Sequence, residues 1–313
     1  DLDEVIVVPH GRGWRRVGDD VRLGARLRRA RFDVALDFHG GPRSAWLTWA
    51  SGAPRRVGYE ITGRSWMYTE VVPRPRDLRP RHSVENQWDL LRAAFPAVGA
   101  PDPERDPVVM GDHPDAAAAV HRRWQDLQLI GTRVVVVHVS AGNPFRRWPA
   151  DAFEELTVRL AGAGENRRII LTSGPSEADA AARIGARARA RLGPDRAGRV
   201  VEMPELTLAE LHAAVRRAAL YVGGDSGPLH VAATTSTPIV ALFGPTLAER
   251  SAPWRSRTAM ALPVDAGPLP CRPCDQRRCD PGDFRCLQRI SPQTVAEAAE
   301  RALAGDAAVA PAG

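Results

Sequence analysis

At 313 residues and 44% apolar content, the chain has material for two buried cores, and no apolar run approaches the ~20 residues of a spanning helix. Net charge is +6 and every one of the 43 basic residues is Arg. These are scattered among 37 carboxylates without interleaved aromatics, which argues against a nucleic-acid partner. The four cysteines all fall within Cys271–Cys286, which excludes a disulfide framework spread over a secreted fold.

The chain opens DLDEVIVV, acidic and then strand-like, without signal-peptide character and as if in mid-domain. A strand is expected at 4–9, and Val21, Leu23 and Leu27 at helical spacing predict a helix over 19–31. Arg12, Arg15, Arg16, Arg22, Arg26, Arg28, Arg29 and Arg31 make this region basic, which suits an anionic membrane surface or an ordinary solvated helix face. Strands at 33–38 and 55–59 alternate with helices at 43–50 and 82–95, the latter carrying Val84, Trp88, Leu91 and Phe95 on one face. Residues 96–114 are rich in Pro, Gly and Asp and mark a boundary between domains 1–113 and 114–305. The second domain predicts strands at 133–140, 167–173, 199–203, 220–224 and 238–243. Helices are expected at 113–127, 150–163, 176–192, 207–219 and 227–237. Thr207-Leu-Ala-Glu210 reads as a capping box, and Ser291-Pro292 as the start of a last helix ended by Gly305, with 306–313 a disordered tail. Such βα alternation gives an α/β class with parallel sheets.

The most informative stretch is 220–246, LYVGGDSGPLHVAATTSTPIVALFGPT: strand, tight Gly turn, small-residue helix, strand. In such a unit the helix start faces the carboxyl edge of the sheet, where anions and sugar hydroxyls bind. The string G-D-S-G-P-x-H-x-A-A…P-x-x-x-L-F-G-P-T resembles the donor-site motif of the heptosyltransferase family, glycosyltransferase family 9. That resemblance implies a GT-B fold, two Rossmann-like domains facing across a cleft, here with the first domain lacking its first strand and loop. It implies inverting, metal-independent transfer of a heptose from ADP-heptose to a lipid-linked lipopolysaccharide core acceptor. The expected location is cytoplasmic, peripheral on the inner membrane.

On the donor side, Asp225 suits sugar hydroxyls while the Ser226 and Gly227 N–H groups meet phosphate, with His230 one turn on. The strand ending at Ser140-Ala141-Gly142 runs into Arg146-Arg147-Trp148-Pro149, similar to the family's phosphate loop. Arg146 holds the position where the family usually has Lys, and an Arg there can grip a diphosphate bidentately. Glu177, in a Gly-Pro-x-Glu turn, is a candidate for the ribose hydroxyls or for orienting Arg146, and Leu206 for a wall of the base site. On the acceptor side, Asp37, His39 and Arg43 follow a strand end; the family often shows Asp-x-Gln-Gly, so His39 departs from it. The resemblance implies a general base Asp in a Gly-Asp loop after the first strand of the first domain, a point beyond which the sequence is expected to begin. The catalytic residue is therefore unassigned. Cys271, Cys274, Cys279 and Cys286 are compatible with a structural Zn or iron–sulfur site, with reduced thiols or with local disulfides, and resemble a C-terminal cluster of the family. Two other readings are a non-catalytic nucleotide-sugar-binding remnant and a transferase using another nucleotide sugar. A nicotinamide oxidoreductase is disfavoured by the lack of a G-x-G-x-x-G after the first strand.

Overall fold

Three short strands pair in parallel in the first of two units, Asp1–Pro101. The computed structural model describes residues 2–8, 13–75, 78, 80–139, 141–203 and 205–309, without the side chains of 14, 15 and 306–309. The unit runs α1 (Gly13–Ala30), β1 (Val34–Leu36), α2 (Pro42–Ala50), β2 (Arg55–Tyr59), β3 (Glu70–Val72) and α3 (Ser83–Ala94). Its order is β1-β2-β3, with Val34 opposite Arg55 and Val57 opposite Glu70. Val57, Tyr59, Ile61, Val72, Leu90 and Ala94 form its core. The His82 ring caps α3 by accepting the Val84 N–H at 3.2 Å.

The expected strand at 4–9 does not form among the described residues 4–8, where Val5 and Val7 are exposed. β propensity alone does not make a strand; a neighbour must supply the ladder, and the described sheet begins at β1. On α1, Arg22 pairs with Asp19 and Arg26 with Glu4, so part of the basic segment is neutralised locally. Arg12 lies outside the described residues.

The second unit, Asp102–Gly313, begins earlier than the expected 113/114 boundary. The reason is hydrogen bonding: the Trp254 indole donates to the Asp106 carbonyl at 2.9 Å, and Glu104 accepts from Ser256 and from the Arg257 N–H. A Pro- and Gly-rich segment thus packs onto the second unit instead of serving as a free linker.

Its elements are α4 (Pro114–Asp126), β4 (Arg133–His138), α5 (Ala150–Gly162), β5 (Arg167–Thr172), α6 (Ala178–Leu192), α7 (Pro194–Ala197), β6 (Val200–Glu202) and α8 (Leu208–Arg217). There follow β7 (Leu220–Gly224), α9 (Gly227–Ala233), β8 (Ile239–Phe243), α10 (Ala248–Ser251), β9 (Ala261–Asp265), α11 (Arg285–Gln288) and α12 (Pro292–Val309). The sheet is parallel throughout, in the order β6-β5-β4-β7-β8-β9. Alternation along β4 divides the core: Val135 and Val137 face one layer with Trp148, Leu156 and Leu160, while Val134 and Val136 face the other with Trp124, Val215 and Leu229. The expected capping box at Thr207 and Glu210 forms with both hydrogen bonds present, and Ser291 Oγ accepts the Thr294 N–H at 3.0 Å.

α12 runs through Gly305 to Val309, past the expected end, and residues 310–313 lie outside the described part. Gly305 does not cap the helix but lies within it, beside Met260 Cε. No helix among the described residues is long and apolar enough to cross a membrane.

Candidate functional site

Chain order in the large sheet reverses between β4 and β7, because β5 and β6 extend to one side and β8 and β9 to the other. Loops leaving two such strands diverge and leave a crevice at their carboxyl ends. Asp225 follows β7 and Arg146 lies in the loop after β4, so the topology brings together residues 79 positions apart.

Asp225 is 2% exposed and richly partnered. One carboxylate oxygen accepts from Thr246 Oγ1 at 2.7 Å and Ser251 Oγ at 3.3 Å, and lies 3.1 Å from Arg146 Nη1. His230 Nε2 stands 3.8 Å from the other oxygen, with its ring half exposed. Burial pushes the Asp225 carboxyl up, but His230, Thr246 and the Arg146 charge outweigh it and hold the group below its ordinary range. His230 stands beside Asp225, outside the apolar core.

Arg146 ends a short 3-10 turn, Pro144–Arg146. Its Nη1 also donates to the Asp225 carbonyl at 3.2 Å and its Nε to Gln276 Oε1 at 2.7 Å. Among the described residues Nη2 has no hydrogen-bond acceptor, and the side chain is 30% exposed. A Cβ added at Gly142 or Gly227 would meet nothing within 4 Å, so backbone in both loops borders open space. Ser226 is part-buried, its hydroxyl donating to the Gly224 carbonyl at 3.1 Å. Ala141 is buried and its carbonyl accepts from Arg147 Nε at 2.8 Å. Ser140 lies outside the described residues.

Glu177 is 6% exposed and pairs at 2.5 Å with Arg147, not with Arg146 as expected. The two arginines are thereby divided: Arg146 faces β7 and Arg147 faces the turn after β5. Leu206 is partly buried against the core layer of Trp124 and Val215, at its edge. His138, at the end of β4, escaped the sequence reading. It is buried, bonds Thr172 Oγ1 at 3.0 Å, and burial pushes its pKa down to about 4 despite the Glu177 charge nearby. Only its place at a strand terminus marks it in sequence.

In the first unit, Asp37 is 3% exposed. It accepts from the His39 and Gly40 N–H groups at 3.0 and 2.8 Å, from Ser44 Oγ at 3.0 Å and from Tyr68 Oη at 2.7 Å. Both oxygens are thus engaged in shaping their own turn. His39 is exposed, and Arg43 is paired with Asp20 on α1. The four thiols line a single cavity of about 30 Å³, together with Phe145 and Phe284. They do not form a ligand set, and no group of three or more His, Cys, Asp or Glu among the described residues is placed to hold a metal. Burial and the neighbouring thiols push the Cys286 thiol up.

The model of glycosyltransferase family 9 (heptosyltransferase) matches residues 21–280. The chain belongs to this family. A lipooligosaccharide heptosyltransferase 2 of Campylobacter jejuni is 34% identical over 84 residues, which cover 27% of this chain and 25% of that one. A lipopolysaccharide heptosyltransferase 3 of Escherichia coli is 31% identical over 260 residues, 82% of this chain and 65% of that relative. The chain therefore spans less than two thirds of the length of these relatives. The solved E. coli ADP-heptose lps heptosyltransferase II superposes with a TM-score of 0.70 at 22% identity, covering 93% of this chain and 82% of that one. That likeness carries the fold: the two parallel α/β units are of the GT-B class. The matched range includes Asp225, Ser226, Gly227 and His230.

Proposed function

We propose that this chain is a glycosyltransferase that moves a heptose from ADP-heptose to a lipopolysaccharide core acceptor, with inversion and without a metal. The observation that carries this reading is the Arg146–Asp225 pair at the point of chain reversal, with the guanidinium partly exposed and two loop glycines bordering open space. The names of the family and of the E. coli enzyme support the sugar and the nucleotide.

In this reading the diphosphate lies against Arg146 Nη2 and the Ser226 and Gly227 N–H groups, and Asp225 accepts hydrogen bonds from sugar hydroxyls. An acceptor hydroxyl attacks the anomeric carbon, the bond from that carbon to the phosphate oxygen breaks, and the nucleoside diphosphate leaves with the electron pair. Arg146 acts on that departing charge, where a fixed donor contributes most. The hydroxyl proton passes to a general base that no residue of this chain is assigned to supply. Asp37, His39 and Arg43 are proposed for the acceptor side, Glu177 and Leu206 for the nucleoside, and the place of work is the cytoplasmic face of the inner membrane.

Calorimetric titration tests this, with ADP-heptose against UDP- and GDP-sugars, on the parent, Asp225→Ala and Arg146→Ala. ADP-selective binding lost in both variants is expected. Equal affinity of parent and variants, or no preference for the adenine nucleotide, would overturn the donor assignment.

A further inference from the structure

The four-cysteine segment plays no part in the donor chemistry above, yet it is fastened to the donor loops at several points. The Cys274 N–H donates to the Pro245 carbonyl at 3.3 Å. The Phe284 ring rests on Phe145 with centroids 5.6 Å apart. Between Cys274 and Cys279 the chain turns at Gln276, whose φ of 59° lies in the left-handed region that side chains rarely adopt. That turn delivers the Gln276 carboxamide to the phosphate loop, where one atom meets both Arg146 Nε at 2.7 Å and Asn143 Nδ2 at 2.9 Å.

The identity of that atom follows from its neighbours. The Phe145 N–H donates to Asn143 Oδ1 at 3.0 Å, so the Asn143 amide nitrogen must face Gln276. Arg146 has only donors. Two donors converge on one atom, which must be the Gln276 oxygen. The guanidinium is thus gripped on two sides, by Gln276 at Nε and by Asp225 at Nη1.

We infer that Gln276 is a positioning residue that aims Arg146 at the diphosphate of a nucleoside-diphosphate ligand. The inference rests on the reading of Arg146 as the diphosphate contact. An arginine held at two of its three nitrogens surrenders its torsional freedom before the ligand arrives, and the ligand does not bear that cost. A neutral carboxamide orients the cation without cancelling its charge; a second carboxylate beside Asp225 would do both. The cysteine segment is then the arm that carries this oxygen to the site.

The test is calorimetric titration of ADP onto the full chain, using the parent, Gln276→Ala, Gln276→Met, Arg146→Ala and the double variant Arg146→Ala/Gln276→Ala. Met keeps the length of Gln and removes the strong acceptor. Both Gln276 variants are expected to weaken ADP about five- to tenfold, the size of the ordering cost that one long side chain bears on binding. In the Arg146→Ala background the Gln276 substitution is expected to change nothing further, because its partner is already gone. Parental affinity in Gln276→Met, or the same loss with and without Arg146, would overturn the inference while leaving the donor site intact. An Arg146→Ala variant that binds ADP as the parent does would overturn the donor-site reading and the inference with it.

Discussion

The Arg146 guanidinium and the Asp225 carboxylate meet at 3.1 Å across the two strand ends where the sheet reverses its chain order. One partner is buried and the other keeps 30% of its side chain in solvent. With Asp225 buried, the pair helps to keep that carboxylate ionised and so contributes to stability, and in the proposed donor reading it also presents the guanidinium to a ligand.

Replacing Asp225 by Asn separates those two roles. The amide oxygen still accepts from the Thr246 and Ser251 hydroxyls, so the loss of unfolding free energy is expected to be limited to about 1–3 kcal/mol, the size of one charge-assisted contact. Heptose transfer, or donor binding where transfer is absent, is expected to fall about 10- to 100-fold, because a carboxylate accepts sugar hydroxyls roughly twice as strongly as a neutral group. Parallel denaturation and titration curves check both halves.

His138 predicts a pH dependence whose sign is fixed by its burial. The folded ring holds its pKa at about 4 against an ordinary 6.5. Above the ordinary value both states are neutral and nothing is lost. Between the two values the unfolded chain takes up a proton that the folded one refuses, so stability declines by roughly 3 kcal/mol as pH falls across the window. Asp225, held below its ordinary range, adds a further loss only at more acid pH, as pH falls through its folded value. Urea titrations from pH 7 to 4.5 on the parent and on His138→Gln should show the decline in the first and a flatter profile in the second.

Gly244 is set by a collision. A Cβ there would lie 2.5 Å from Leu287 Cδ2. Gly244→Ala is expected to cost about 1–3 kcal/mol, the usual range for overpacking. Adding Leu287→Ala should cost less in that background than in the parent, because the crowding is already relieved. A double-mutant cycle by chemical denaturation reads this coupling.

Thr207→Ala removes one half of a reciprocal cap, leaving the Glu210 N–H without its 3.2 Å acceptor at the start of α8. A loss of about 1 kcal/mol is expected, with no change in ADP affinity. Thermal unfolding and titration together check it.

What was legible in the sequence was local. Four valines in β4 and the turn Gly224-Asp225-Ser226-Gly227 announce their structure through neighbours within a few positions. So do the capping box and the strand-to-helix step that puts Asp225 at a carboxyl edge. What escaped was set by partners far along the chain. The exposed valines of residues 4–8 have strand chemistry and no described neighbour to pair with. β9 carries Pro263, which reads as a strand breaker and is tolerated because β9 is at the sheet's edge. Glu177, expected to meet ribose hydroxyls or to orient Arg146, pairs with the neighbouring Arg147, since adjacent residues at the end of a turn point to different strands. Gln276 had no local signal at all; its partner Arg146 is 130 positions away.

The reversal of chain order also governs when the site can exist. β4 must find β7, pairing Val135 with Leu220, although β5 and β6 are made between them. Closing so long a loop comes late, and pairings distant in sequence slow folding of parallel sheets. The α5–β5–α6–β6 half can collapse by itself without building any of the Arg146–Asp225 geometry. Nucleotide affinity should thus recover with the last phase of refolding, after most helical signal has returned, which makes a bound nucleotide a reporter of complete folding in this unit.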